Sequence, residues 1–346
     1  MHLARRAWCR TYQTVFRIAL PILPYTEPRI LEHAEDVPAV LQKRSIQKVL
    51  IVTDPGIARL GLTAPLERAL MAQGIGVTVY AETRANPTVS NVEEAAALYR
   101  ENDCRAIIGF GGGSAMDCAK GVGARIAQPN KPINKMRGLP ASITGQTGMD
   151  ALTHAVEAFI GRSTTHYTRK MARQAVQLIR DNLLEAYEHG DDMRARRNML
   201  SAAYKAGVAF TRSYVGYVHA IAHSLGGRYG IPHGLANAII LPHMLRAYGD
   251  AAAPKLADLA RMAGVAPATA RDSLAAEAFI DWVDRMNEAL GIPKYVSGIR
   301  RSDIPEMAAH ADAEANPLYP VPLLMDRLEL EHMYEVVAGG MFEDEN

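Results

Sequence analysis

Apolar positions in the first third of the chain follow two alternating patterns. The short β-branched runs KVLIVT (48–53), VTVYA (77–81) and AIIGF (106–110) read as strands. Between them apolar residues recur at helical spacing, as at Val92, Ala95, Ala96 and Tyr99. Thr63, Pro65 and Gly74 mark the start and stop of one helix, and Ser90 with Glu93 reads as the capping box of the next. Strand, helix, strand, helix, strand, helix predicts a right-handed parallel sheet.

The pattern then changes. QPNKPINKMRGLPAS (128–142) has no period and reads as a linker. Beyond it the period is helical throughout, in MARQAVQLIRDNLLEAYEHG, MRARRNMLSAAYKAGVAF, PKLADLARMAGV and AAEAFIDWVDRMNEALGI, and no strand alternation follows residue 150. The expected architecture is an α/β, Rossmann-like domain over 1–138 followed by an all-α domain over 139–346. The leading stretch MHLARRAWCRTYQTVFRIALPILPY is Arg-rich and has no acid before Glu27, the profile of a transit peptide. Its apolar part is broken by Arg17, Pro21 and Pro24, which favours a folded leading segment of the first domain.

Composition narrows the function classes. Hydrophobic content of 49% and charged content of 22% are those of a globular protein. A net charge of +1 without blocks of like charge gives no support to a nucleic-acid or polybasic membrane role. Cys9, Cys104 and Cys118 have no C-x-x-C spacing and an odd count, which argues against a disulfide framework and for a reducing compartment such as the cytoplasm. No apolar run reaches the roughly 18 residues of a membrane helix.

Two stretches carry candidate chemistry. Gly111, Gly112, Gly113 and Ser114 follow a strand and open a helix, where free N–H groups and the helix dipole bind phosphate. The same residues also suit a tight strand-to-helix turn, with Ser114 and Asp117 as a capping box. Asp54 closes the first strand, where a carboxylate can accept from a ribose or serve as a turn residue before proline.

The second stretch is richer. Asp150 and His154 lie four apart, as do His219 and His223, so each pair shares one helix face. His233 follows in IPHG. Both pairs sit in apolar, Ala- and Gly-rich sequence, where unpaired polar groups cost a few kcal/mol each (about 2–7). Coordination of a divalent metal satisfies them, and nitrogen and oxygen donors without thiolate suit Fe²⁺ or Zn²⁺. His243, beside Leu241 and Met244, reads as a core or helix-end residue.

With these residues the chain resembles the iron-containing (group III) alcohol dehydrogenases. The matching pieces are IVTDPGI, ANPTVSNVEEA, GFGGGSAMDCAK, GMDALTHAVEAF, ARRNMLSAAYKAGVAF, GYVHAIAHSLGG and IPHGLANAIILPH, in the family's order. The resemblance implies a Rossmann-like domain before an all-helical, dehydroquinate synthase-like domain. It implies metal ligation by Asp150, His154, His219 and His233, with His223 as proton relay. It places Gly111, Gly112, Gly113, Ser114 and Asp117 in the NAD pyrophosphate segment, Asp54 near the ribose and Asn86 near the cofactor. The implied reaction is NAD-linked oxidation of a small alcohol to an aldehyde or ketone, or its reverse, with Fe²⁺ or Zn²⁺ as Lewis acid, in a homodimer or larger homo-oligomer.

The chain departs from the family in one place. Members carry several tens of residues, including a TTAGTGSE-like cofactor loop, between the Gly-rich helix and the first metal-ligand helix. Here KMRGLPASITGQTGMDALTHA joins the two almost directly, within residues 136–142. The first domain is therefore expected to be truncated, with 106–110 left exposed. Two other readings follow: a remnant that binds metal but not NAD, and a glycerol dehydrogenase- or dehydroquinate synthase-like enzyme on the same scaffold.

Overall fold

The computed structural model describes residues 1–20, 22–23, 31, 33–84, 87–127, 146–189 and 192–343. The chain forms two compact units, one of Thr26–Thr144 and one of Met1–Tyr25 with Gly145–Asn346. The leading segment is thus grouped with the helical unit, where the sequence placed it with the first domain. The reason is side-chain bonding that no periodicity reveals. Helix α1 (Leu3–Ala19) buries Cys9 and Gln13. Arg10 donates to the carbonyls of Val321 (2.8 Å) and Pro322 (2.9 Å), and Gln13 to that of Tyr319 (2.7 Å).

The α/β unit runs α2 (Val37–Gln42), β1 (Lys48–Val52), α3 (Pro55–Arg59), α4 (Ala64–Ala72), β2 (Gly76–Tyr80), α5 (Val89–Glu101), β3 (Ala106–Gly109) and α6 (Gly113–Ala127). Its described strands form a parallel sheet in the order β2–β1–β3, with Val49 opposite both Val77 and Ala106. Strand alternation divides β1 between two cores. Leu50 and Val52 join Val92, Ala95, Ala96, Cys118 and Val122, while Val49 and Ile51 join Leu41, Leu66 and Leu70. Val49 to Val52 are fully buried. Ala106, Ile107 and Ile108 of β3 are only half-buried and Gly109 is exposed. Among the described residues β3 pairs on one side alone.

Local caps differ from the sequence reading. The capping box of α5 is Thr88 with Asn91, while Ser90 bonds instead to Glu94. Thr63 precedes α4 but its side chain makes no cap bond. Helix α6 begins at Gly113, with Ser114 in its first turn.

The helical unit contains α7 (Gln146–Ile160), α8 (His166–Glu188), α9 (Met193–Ser213), α10 (Tyr217–Tyr229), α11 (His233–Tyr248), α12 (Ala253–Met262), α13 (Asp272–Ala289), α14 (Ile304–Ala315) and α15 (Arg327–Val337). Helix α7 packs on α8, α9 and α11, and α10 packs on α11 and α14. The core of this unit is one continuous cluster, in which Leu152, Val156, Ile179, Val218, Ile221, Ile240 and Tyr334 are fully buried. The end of α7 is closed from outside by Lys255, which donates to the carbonyls of Ile160 (2.9 Å) and Gly161 (2.6 Å). Burial holds this ammonium down at about 8, and the nearby Arg169, Arg162 and Arg17 act the same way.

Candidate functional site

Helix α7 turns Asp150, His154 and Glu157 to one face, because they lie four and seven residues apart. Helix α10 carries His219 and His223. Helix α11 opens with His233 and presents Asn237 one turn later. Packing among α7, α10 and α11 brings these side chains together.

Asp150 Oδ1 lies 3.8 Å from His219 Nε2 and 3.6 Å from His233 Nε2. The three ligand atoms all lie within 4.8 Å of one another. Two nitrogen or oxygen ligands about 2.0–2.2 Å from one tetrahedral ion stand roughly 3.4 Å apart, so this spacing fits a shared cation. His219 Nε2 is buried and has no hydrogen-bond partner, a cost that a bound cation removes. The donor set of one carboxylate and two imidazoles therefore fits a divalent metal.

His154 stands beside this trio rather than within it. Its Nδ1 is 3.7 Å from Asp150 Oδ2. Its ring stacks on Phe210 at 4.1 Å and lies 4.3 Å from that of His219. His223 stacks on His233 at 5.0 Å, with Nδ1 on Glu314 Oε1 at 2.7 Å. Tyr319 donates to the same oxygen at 2.6 Å. His243 lies apart from the cluster, buried, with Nε2 on the carbonyl of Lys294 (2.9 Å) and its ring on Tyr295.

The electrostatics divide the histidines. Burial drives His219 well below its usual 6.5, and the neighbouring imidazoles add to this. Burial brings His233 down to about 4 against the pull of Asp150. Both are thus neutral near pH 7, the form that binds metal. His223 goes the other way. Burial opposes its charged form, but the hydrogen bond and charge of Glu314 outweigh that and raise its pKa. Glu314 is correspondingly lowered, although burial pushes it up.

Four further residues shape the site. Glu157 is fully buried; desolvation pushes its carboxyl up to about 8, against the donors of Gly216 and Val218. Asn237 donates to Asp150 Oδ1 at 2.6 Å and reaches His233 Nε2 at 3.0 Å. Glu314 and Tyr319 complete the group. Two of the four carried a signal in the sequence. Glu157 shares the Asp150 face of α7, and Asn237 lies four residues beyond His233.

The Gly-rich turn belongs to the other unit. Gly111 has φ +136°, open to glycine and strained for other residues. A Cβ there would lie 3.2 Å from Asp54 Oδ2. Asp54 Oδ1 caps α3 through the amides of Gly56 (2.9 Å) and Ile57 (3.0 Å). Gly112 joins the strand to α6, which starts at Gly113. Ser114 and Asp117 are buried, and Asp117 pairs with Lys120 at 3.0 Å. Asn86 and the 136–142 join lie outside the described residues.

Comparisons with known proteins agree with this geometry. The family model "Iron-containing alcohol dehydrogenase" matches residues 30–153, and "Fe-containing alcohol dehydrogenase family, C-terminal" matches 144–337. The 1,3-propanediol dehydrogenase of Klebsiella pneumoniae is 33% identical over 333 positions, covering 78% of this chain and 86% of that protein. The NAD-dependent methanol dehydrogenase of Bacillus methanolicus is 28% identical, covering 80% and 89%. Among solved structures, a 1,3-propanediol oxidoreductase superposes with a TM-score of 0.82 at 29% identity, covering 91% of this chain and 99% of that one. The Klebsiella alignment holds a further fact. Its 333 positions take in 78% of 346 residues, about 270, so about 60 positions of the relative have no counterpart here.

Proposed function

Because the chain belongs to the iron-containing alcohol dehydrogenase family, we propose that it is a metal-dependent, NAD-linked alcohol dehydrogenase acting on a small alcohol or the matching aldehyde or ketone. The observation that carries this reading is the convergence of Asp150 Oδ1, His219 Nε2 and His233 Nε2, with a buried nitrogen lacking any other partner. Asp150, His219 and His233 would hold the ion, with His154 as the adjoining fourth ligand. Fe²⁺ is the ion the family name supports, and the ligand types admit Zn²⁺ equally. A bound ion of this kind acts as a Lewis acid toward an alcohol or carbonyl oxygen.

The remaining roles fall to the chain. Asp150 supplies negative charge, and Asn237 orients it. His223, about a third exposed and held at Nδ1 by Glu314, is the group suited to carry the alcohol proton. Gly111 to Ser114 would cradle the pyrophosphate, with Asp54 at the ribose, and NAD would carry the hydride. The Bacillus methanolicus relative's NAD dependence supports that choice of cofactor. A homo-oligomer in a reducing compartment completes the proposal; among the described residues no helix is long and apolar enough to cross a membrane.

A second reading has its own observation. About 60 missing positions and a half-exposed β3 favour a remnant that keeps metal and has lost NAD. Metal analysis of the purified protein, together with an NAD⁺-linked assay over short alcohols, decides between them. Metal with turnover supports the dehydrogenase. Metal without turnover or NAD binding supports the remnant. No metal at all overturns both.

A further inference from the structure

Glu157 makes three short contacts around one carboxylate. Its Oε2 accepts from the amide of Gly216 at 2.8 Å and lies 2.6 Å from His219 Nδ1. Its Oε1 accepts from the amide of Val218 at 2.9 Å. Only 3% of the residue is exposed. We propose that Glu157 is a positioning residue of the metal centre, holding His219 as the Nδ1–H tautomer so that the Nε2 lone pair faces Asp150 and His233. The inference rests on the metal reading of those three residues.

Backbone amides can only donate, so both oxygens of Glu157 act as acceptors at Gly216 and Val218. The remaining contact is with His219 Nδ1, and a carboxylate already accepting twice takes its proton as a third donor. Two amides and the positive start of α10 draw Glu157 toward the anionic form, against the burial that raises its carboxyl. Helix α10 starts behind Gly216, which has no side chain to cap it, and Glu157 reaches across from α7 to satisfy its first amides. The close approach is built into the backbone, because a Cβ on Gly216 would fall 2.6 Å from Glu157 Oε1. The opposite tautomer would put a proton on Nε2, which is buried and has no acceptor in reach, Asp150 Oδ1 being 3.8 Å away. Helix α7 thus acts on His219 at both ring nitrogens. Asp150 stands before Nε2, and Glu157, two turns later, fixes Nδ1. A carboxylate on the far nitrogen of a metal-bound imidazole fixes its orientation and raises its basicity.

The test uses the full chain, stripped of metal and labelled with ¹⁵N-histidine. Long-range ¹H–¹⁵N spectra should show His219 as the Nδ1–H tautomer. Glu157→Gln fills the same space but has one acceptor oxygen and an amide that only donates. His219 should then lose the Nδ1–H form, and Zn²⁺ affinity, read by competition with a chromophoric chelator, should fall by about 10–100-fold. An Nε2–H tautomer in the unsubstituted chain overturns the proposal, and needs no variant to fold. So does a folded Glu157→Gln protein that binds Zn²⁺ within about twofold of the original. Failure of the unsubstituted chain to bind Zn²⁺ or Fe²⁺ would instead sink the metal reading, and the tautomer is still decided in that same protein.

Discussion

Gly216 and Glu157 approach so closely that a methyl group on Gly216 would meet the carboxylate at 2.6 Å. The neighbour is no flexible surface chain. Glu157 is pinned by two amides and an imidazole in a buried site. Gly216→Ala must therefore push the carboxylate away from α10 or bend the helix start. Overpacking of this kind costs about 1–3 kcal/mol. Urea unfolding of the metal-free variant should show a lower midpoint at unchanged slope. A stability within about 0.5 kcal/mol of the original, the usual spread for neutral surface changes, would mean that the contact is loose.

Metal affinity should resist acid. A ligand imidazole with a pKa of 6.5 is about thirtyfold less available at pH 5 than when fully neutral, so three such ligands would together lose about ten-thousandfold or more. Burial holds His233 at about 4 and drives His219 in the same direction, so both resist protonation as the pH falls. Zn²⁺ affinity should thus fall by no more than about thirtyfold between pH 7 and pH 5, as for one ordinary imidazole, and steeply below pH 4. Chelator competition at the two pH values measures it. A loss of several thousandfold would show that the cluster is open to water.

The His223–Glu314 pair gives a separate pH signature. The raised pKa of His223 contributes stability that is complete below 6.5 and disappears as pH rises through its folded value. The lowered pKa of Glu314 contributes stability that is complete above 4.5 and disappears as pH falls through its folded value. The ion pair is therefore fully formed between 4.5 and 6.5. Glu314→Gln removes the carboxylate and leaves the burial, so the His223 imidazole should titrate at lower pH, as followed by NMR. The same substitution should move the acid limb of any kcat profile downward. An unchanged His223 titration would remove Glu314 from the relay.

What could be read in advance follows the range of the interactions. Strands β1, β2 and β3 were legible as short β-branched runs, and the long helices because their apolar positions repeat every 3.6 residues. The Asp150 face of α7 was legible for the same reason, and one more turn of that reasoning reaches Glu157. The contacts that complete the site were not, because they join residues 62 apart, as in Glu157–His219, or 91 apart, as in His223–Glu314. Caps failed at close range for a different reason. Thr88 and Ser90 are both good N-cap types, and the choice is made by Asn91, buried against Tyr80 and the Glu82 carbonyl. Helix α1 shows the same limit, since Arg10 and Gln13 dock it through carbonyls more than 300 residues away.

The two halves of the function should differ in strength. The proposed ligands lie in a unit whose core is continuous and whose helix ends are capped, as by Asp192 on α9 and Asp326 on α15. The Gly-rich turn lies in a unit whose strand β3 is paired on one side among the described residues and keeps half-buried isoleucines. About 60 positions of the Klebsiella relative have no counterpart in this chain. On the proposed reading, any contacts those positions make to a dinucleotide are absent from this chain, while Gly111 keeps its open turn. Metal should therefore bind more tightly than NAD⁺, and titration of the purified protein, following NADH fluorescence and Zn²⁺ competition side by side, compares them. Gly111→Ala, strained by its φ of +136° and crowded by Asp54, should weaken nucleotide binding further without changing Zn²⁺ affinity. An NAD⁺ dissociation constant in the low micromolar range, on the order of −8 kcal/mol of binding free energy, would show that the shortened domain still makes a complete cofactor site.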